Sequence, residues 1–280
     1  MTGATGFIGQ YTCRAIRNDF PDARIVGQTR DCAKVDLLKK MSVEPLVADL
    51  NDREALSDIL LQSEYVFHLA ANALFSAKGD LSRDNIKPLE VFCDVLKDSQ
   101  NLKRLVFTST VGVLDRKSDD LCEKSLDDDS TPSPTSNYGR SKLSAEQVVM
   151  LSNLPWTIIR PTWVYGPGMR SNSHLAFFID LALKGSLIAR FRFPGRAAVI
   201  HAQDLAEAML AASQSSECLN RRLLICEEEP VEIGLTMKRA LAASGRSTWQ
   251  IQWPQELNII FRPVWRFLPF AFKVMFSDAY

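Results

Sequence analysis

No charge of one sign dominates this chain: 33 Lys and Arg stand against 33 Asp and Glu. Binding to nucleic-acid phosphates rests on a cationic excess, so no nucleic-acid partner is expected. Cysteine is sparse, and the 6 cysteines form no Cys-x-x-Cys pair, the pattern of reduced cytoplasmic thiols rather than of a disulfide framework. The 3 histidines, His68, His174 and His201, are scattered, and no metal site is expected. The chain opens without the basic segment and apolar run of a secretory signal, and no internal repeat is visible. Long hydrophobic runs are missing, with one exception at 259–276. That stretch carries Arg262, Arg266 and Lys273 together with Pro263 and Pro269, which makes a mid-membrane position costly. It reads as a core-packing or substrate-covering segment. The alternative is an interfacial anchor with its basic residues at the headgroups of a membrane surface.

Apolar residues make up 46 % of the 280, which excludes a disordered chain. Short apolar runs alternate with longer amphipathic ones. Strands are expected at 24–29, 44–48, 65–69, 104–108 and 157–160, and helices at 7–19, 52–61, 85–98 and 137–151. Strands separated by helices give parallel pairing with right-handed crossovers, an α/β doubly wound sheet of Rossmann type over residues 1–160. After Arg160 the regularity fades and Pro, Trp and Phe become more frequent. Residues 161–280 are expected to form a smaller, mainly substrate-binding lobe interleaved with the sheet. Residues 115–135 read as a polar loop.

Thr2-Gly3-Ala4-Thr5-Gly6-Phe7-Ile8-Gly9 places three glycines three apart. The first permits a tight turn, the second lets backbone N–H groups approach a pyrophosphate, and the third lets the new helix pack closely. The helix N-terminus then offers unpaired donors to the phosphates. At the tip of the strand 24–29 stands Thr29, followed by Arg30, where NAD binding calls for a carboxylate on the ribose 2′-hydroxyl. A guanidinium can fork onto a 2′-phosphate, so the cofactor is expected to be NADP, with NAD the alternative and Lys34 as support. Arg30 can equally be a solvated loop charge. Asp49 and Leu50 follow the next strand and can meet the adenine edge. Asp49 can equally cap the helix that follows.

Lys142 follows Tyr138 by one helical turn, which puts both side chains on one face. A phenol titrates near 10 in water, and a neighbouring ammonium lowers that value. Tyr138 can then exchange a proton with a carbonyl oxygen while hydride moves at carbon. A hydroxyl beside it comes from Thr108-Ser109-Thr110, at the carboxyl edge of the sheet where ligands bind.

In order along the chain, TGATGFIG, HLAA (68–71), FTST (107–110), YGRSK (138–142), RPTWVYGPG (160–168) and HAQDLAEAM (201–209) resemble the extended short-chain dehydrogenase/reductase family, also described as NAD-dependent epimerase/dehydratase proteins. The resemblance spans essentially the whole chain. It implies a catalytic set of Thr110, Tyr138 and Lys142, with Ser109 the lesser choice, and a Lys142 contact to the nicotinamide ribose. It implies that Leu69, Ala70, Ala71, Pro161 and Val164 line the cofactor and that Asn85 pins a central helix–strand contact, an N-cap role being the alternative. Trp163, Tyr165 and Arg196 are candidate substrate residues. Family members often pair, here through helices 85–98 and 137–151, so a homodimer is expected.

Three departures matter. The family's first strand, which precedes the Gly-rich turn, is missing. The expectation is a chain cut at both ends whose central sheet neighbours lack a ladder partner and which folds poorly by itself. Val113-Leu114-Asp115 stands where many sugar epimerases carry Val-Tyr-Gly. The Asp-Glu pair of sugar 4,6-dehydratases is absent, which sets elimination chemistry aside. The expected activity is NAD(P)-dependent hydride transfer to or from a secondary alcohol or ketone, resembling the dihydroflavonol-reductase and 3β-hydroxysteroid-dehydrogenase branches. The alternatives are a nucleotide-sugar epimerase with retained cofactor, its diphosphate held by Arg170, Arg192 and Arg196, and a non-catalytic NADP-binding sensor.

Overall fold

The computed structural model describes residues 1–71, 85–115, 125–254 and 275. Two compact units divide the chain. The first holds Met1–Asp115, Leu126–Thr162 and Ala202–Ile225, and the second Arg116–Ser125, Trp163–His201 and Cys226–Tyr280. Residues 202–225 thus belong to the first unit, and 163–201 and 226–280 to the second.

In the first unit, β1 (Val26–Thr29) pairs in parallel with β2 (Glu44–Val47). β3 (Tyr65–His68), β4 (Arg104–Thr108), β5 (Trp156–Pro161) and the strand Arg221–Ile225 form a second parallel set in that spatial order. Thr2 stands between the two sets. It forms isolated parallel bridges to Gln28 and to His68, with Thr2 N donating to Phe67 O at 3.0 Å and Gln28 N to Met1 O at 2.9 Å. The expectation that nothing fills the centre of the sheet is thus corrected: Met1 and Thr2 supply one rung there.

Every residue of β4 is buried, as a central parallel strand requires. Its first residue, Arg104, is tolerated because both of its Nη atoms are bonded. Its guanidinium donates to Thr157 Oγ1 at 2.8 Å, to Ala212 O at 3.2 Å and to Ser215 O at 3.0 Å, tying down the C-terminal end of the helix Ala202–Gln214. That helix and α1 (Phe7–Asp19) pack against each other. A short α2 (Val35–Lys40) follows β1. A separate apolar core joins β3, β4 and β5 to α3 (Arg53–Gln62), α4 (Lys87–Leu96) and α5 (Asn137–Leu151), with Leu56, Leu89, Phe92, Phe107, Val149 and Ile158 at its centre.

The expected bounds of α1, α5 and β4 coincide with the structure. The helix expected at 85–98 is shorter, and Asn85 is not its N-cap: that position is Ile86. Nor does Asp49 cap α3, because Asp52 does so by accepting from Ala55 N at 3.1 Å.

In the second unit, the strand Trp163–Tyr165 pairs in parallel with Val199–His201. The helices His174–Leu183 and Ile233–Ala243 pack together over Phe178, Phe193, Met237 and Leu241. Apart from Met275, the apolar stretch 259–276 lies outside the described residues, as does the middle of the loop expected at 115–135. Among the described residues no helix is long and apolar enough to cross a membrane.

Candidate active site

The carboxyl ends of β1, β3 and β4 share one edge of the sheet, because all three run parallel. The Gly-rich turn opens there. Gly3 has a φ of 68°, which a side chain would disfavour, and a Cβ on it would lie 2.9 Å from Ala70 N. Leu69 and Ala70 are held against the turn by Leu69 N donating to Thr2 O at 3.4 Å and Ala70 N to Thr2 Oγ1 at 3.1 Å. Gly9 serves closeness of another kind than expected. Its missing side chain makes room for the turn itself, since a Cβ would meet Gly3 O at 2.1 Å and Ala4 Cα at 2.8 Å. Gly6 is the exposed, extended N-cap of α1. No side chain caps that helix and no acidic residue stands in its first turn. Its N–H donors and positive end suit an anion such as a pyrophosphate. Thr5, Phe7 and Ile8 are half-buried around it.

At the tip of β1 the exposed Arg30 lies 3.9 Å from Asp49 Oδ2. Asp49 accepts from the backbone and side-chain amides of Asn51, at 2.8 and 2.7 Å, and these bonds hold its carboxyl below the usual carboxylate range. Leu50 packs against the apolar core. Asp31 caps the turn Cys32–Lys34, in which Lys34 is exposed.

Past β4 the chain makes a short turn, Val111–Val113, capped by Thr110 Oγ1, which accepts from Gly112 N at 3.2 Å. Thr110 is half-buried. Ser109 is buried, and its hydroxyl has no hydrogen-bond partner among the described residues. α5 starts with Ser136 accepting from Gly139 N at 2.9 Å. Its first turn is pressed onto the Thr110 turn: a Cβ on Gly139 would lie 2.4 Å from Gly112 O. This contact brings the helix of Tyr138 and Lys142 to the turn of Thr110. Tyr138 is half-buried. Lys142 is 3 % exposed, and its ammonium lies 4.5 Å from the centre of the Phe107 ring. Burial lowers its pKa to about 8, against the opposing pull of Glu146. Asn85 Nδ2 donates to Ser141 Oγ at 3.3 Å, a contact to α5.

His68, at the end of β3, is buried with its ring stacked on Phe107 and edge-on to Phe92. Burial first, then the charge of Lys142, lowers its pKa to about 3. Pro161 is buried at the end of β5. A fully buried pair in this unit is absent from the sequence analysis: Arg160 Nε and Nη2 donate to Glu146 Oε1 and Oε2 at 3.0 and 2.7 Å. The Glu146 position, one further turn along the Tyr138–Lys142 stripe, was the available signal.

The second unit holds the other candidates. Trp163 stacks on His174 at 5.0 Å and Tyr165 meets the edge of His201 at 5.2 Å, while Val164 pairs with Ile200. Arg192, Arg196, Glu232 and Gln252 line a cavity of 390 Å³ with Phe193 and Pro194. There Glu232 accepts from Arg192 at 3.0 Å and lies 3.7 Å from Arg196. Arg170 is exposed. Among the described residues no cluster of His, Cys, Asp or Glu could hold a metal ion.

A glycine turn at the carboxyl edge of a parallel sheet, feeding an uncapped helix, defines a dinucleotide-binding fold of Rossmann type. The chain belongs to the NAD dependent epimerase/dehydratase family, whose model matches residues 1–225. It is 31 % identical over 180 residues to the hybrid PKS-NRPS synthetase ucsA of an Acremonium species, a match covering 59 % of this chain and 4 % of that protein. It is 26 % identical over 211 residues to the ceramide reductase of Caulobacter vibrioides, covering 75 % of this chain and 59 % of the reductase. The chain thus spans less than two thirds of either relative. The fold is that of the UDP-glucuronic acid 4-epimerase of Bacillus cereus, solved with UDP-glucuronic acid and NAD, at a TM-score of 0.74 and 22 % identity over 90 % of this chain and 84 % of the other.

Proposed function

We propose that this protein is an NAD(P)-dependent oxidoreductase that moves a hydride between the cofactor and a secondary alcohol or ketone. The reading rests on one observation: a half-buried phenol, Tyr138, one helical turn before a buried ammonium, Lys142, on a helix pressed against the Thr110 turn. When bound, a nicotinamide dinucleotide supplies the hydride donor or acceptor. The residues present fit it. Gly3, Thr5, Gly6, Phe7, Ile8 and Gly9 form the cradle for its pyrophosphate. Leu69, Ala70 and Ala71 border the same turn.

The chain's own work is then to position oxygen and move one proton. Thr110, half-buried where Ser109 is buried, donates a hydrogen bond to the substrate oxygen. Tyr138 gives a proton to that oxygen during reduction and takes it back during oxidation. Lys142, kept from water, favours the phenolate and hydrogen-bonds the ribose of the cofactor. Arg30 stands exposed at the β1 tip with, among the described residues, no carboxylate closer than Asp49, which supports NADP over NAD.

The second reading, a nucleotide-sugar epimerase, draws on the arginine-lined cavity of the second unit. Glu232 already engages both Arg192 and Arg196, so a diphosphate would have to displace a carboxylate. This favours the reductase. A screen of carbonyl compounds and nucleotide sugars with NADPH, followed at 340 nm, separates the two. Steady loss of absorbance with a carbonyl compound supports the reductase. Epimerised sugar with no net change in absorbance supports the epimerase.

A further inference from the structure

We propose that Glu146 is a positioning residue for Lys142: clamped by Arg160, its carboxylate holds the Lys142 ammonium charged and on the Tyr138 face of α5. The inference rests on the proposed hydride-transfer reading for its purpose, but not for its geometry. Tyr138, Lys142 and Glu146 follow one another at single-turn spacing, so the three side chains form one stripe along the helix. The Glu146 and Arg160 side chains have no solvent exposure and meet through two parallel bonds, at 3.0 and 2.7 Å. Such a pair contributes little to stability by itself, because removing two charges from water offsets their attraction. This one is not even fully satisfied: Arg160 Nη1 is buried without a partner among the described residues. A costly, incompletely bonded pair beside a buried lysine is accounted for by what it does to that lysine.

Among the described residues, Glu146 is the anion whose charge acts on Lys142. α5 contributes Tyr138 and Glu146. β3 contributes His68, which burial keeps neutral down to a pKa of about 3. β4 contributes the apolar Phe107 ring, and β5 contributes Arg160, a second cation. On α4, the buried Cys93 is kept a neutral thiol by burial, its pKa raised to about 12. Burial alone drives Lys142 toward the neutral amine, and the Glu146 charge is what opposes it. Arg160 fixes that carboxylate in place so that its charge stays beside the lysine.

The test reads Lys142 directly in the cofactor-free protein, without substrate. The pH dependence of amine labelling at Lys142, measured by mass spectrometry, gives its titration midpoint. Two variants are compared with wild type: Glu146→Gln, and Glu146→Gln with Arg160→Met, which leaves no unpaired buried charge. Thermal unfolding confirms that each is folded. The expected result is a midpoint shifted to lower pH in both variants, with kcat lowered and KM retained once a substrate is in hand. An unchanged midpoint in the folded double variant would overturn the proposal. So would failure of both variants to fold, which would assign the pair to structure alone. Loss of the hydride-transfer reading leaves the midpoint result standing, so the two failures are distinguishable.

Discussion

Gly139 and Gly112 meet without room for a methyl group between them: a Cβ on Gly139 would stand 2.4 Å from the Gly112 carbonyl oxygen and 3.1 Å from its carbon. The oxygen is backbone and cannot swing aside, so the start of α5 would have to lift from the Thr110 turn. Gly139→Ala is expected to cost about 1–3 kcal/mol of stability, the usual penalty of overpacking, and to lower turnover through the displaced Tyr138. Gly112→Ala is the control, since its Cβ would meet the Thr110 side chain at an ordinary 3.5 Å. Urea unfolding of both variants checks this. Equal stability for the two would mean that the close approach is not what sets the helix.

His68 makes stability depend on acid. Its folded-state pKa of about 3 lies below the ordinary 6.5, so between those values the unfolded chain binds a proton that the folded chain refuses. Stability from this group is therefore fully present above pH 6.5 and is lost as the pH falls toward 3. His68→Phe keeps the stacking on Phe107 and removes the titration. The melting temperature of wild type is expected to fall faster than that of the variant between pH 6.5 and 4. Parallel curves would contradict the assignment.

Arg30 and Asp49 offer a test of cofactor choice. If Arg30 forks onto a 2′-phosphate, Arg30→Ala weakens NADPH binding by about tenfold or more and leaves NADH unchanged, the scale of a lost charge-assisted hydrogen bond. Asp49→Asn removes the carboxylate that competes for that guanidinium, and NADPH binding tightens. Titration by nicotinamide fluorescence measures both. Equal losses for the two cofactors would return Arg30 to a solvated loop charge.

Elements with a strong local signal were legible in the sequence. α1 begins after the extended N-cap Gly6 and stops just before Phe20-Pro21. α5 begins at Ser136, whose hydroxyl takes the Gly139 N–H. The middle of β4, Leu105–Phe107, reads as an apolar run because both faces of the strand are covered. The glycine turn was legible for the same local reason, although the purpose of Gly9 was not: its neighbour is the Gly3 carbonyl, visible only once the turn has folded back. What the sequence hid depends on contacts between distant segments. Asp49 and Asp52 are both able to cap a helix, and only geometry selects Asp52. Arg104 looks like a surface charge until the end of the helix Ala202–Gln214 arrives to take its hydrogen bonds. The return of 202–225 to the sheet is likewise decided by the pairing of Arg221–Ile225 with β5. In the candidate site, the spacing of Tyr138 and Lys142 was readable from helical periodicity. The Glu146–Arg160 pair was not, because Arg160 lies on a strand 14 residues away.

The central claim is that the Tyr138 phenol carries the proton while the glycine turn holds the cofactor, and Tyr138→Phe separates these two tasks. NADPH affinity and turnover of a carbonyl substrate, measured on the same preparation of wild type and variant, test it most directly. The account predicts affinity unchanged within about twofold and turnover reduced by at least about a hundredfold, the usual contribution of a positioned general acid. Turnover at the wild-type rate in the variant would contradict it.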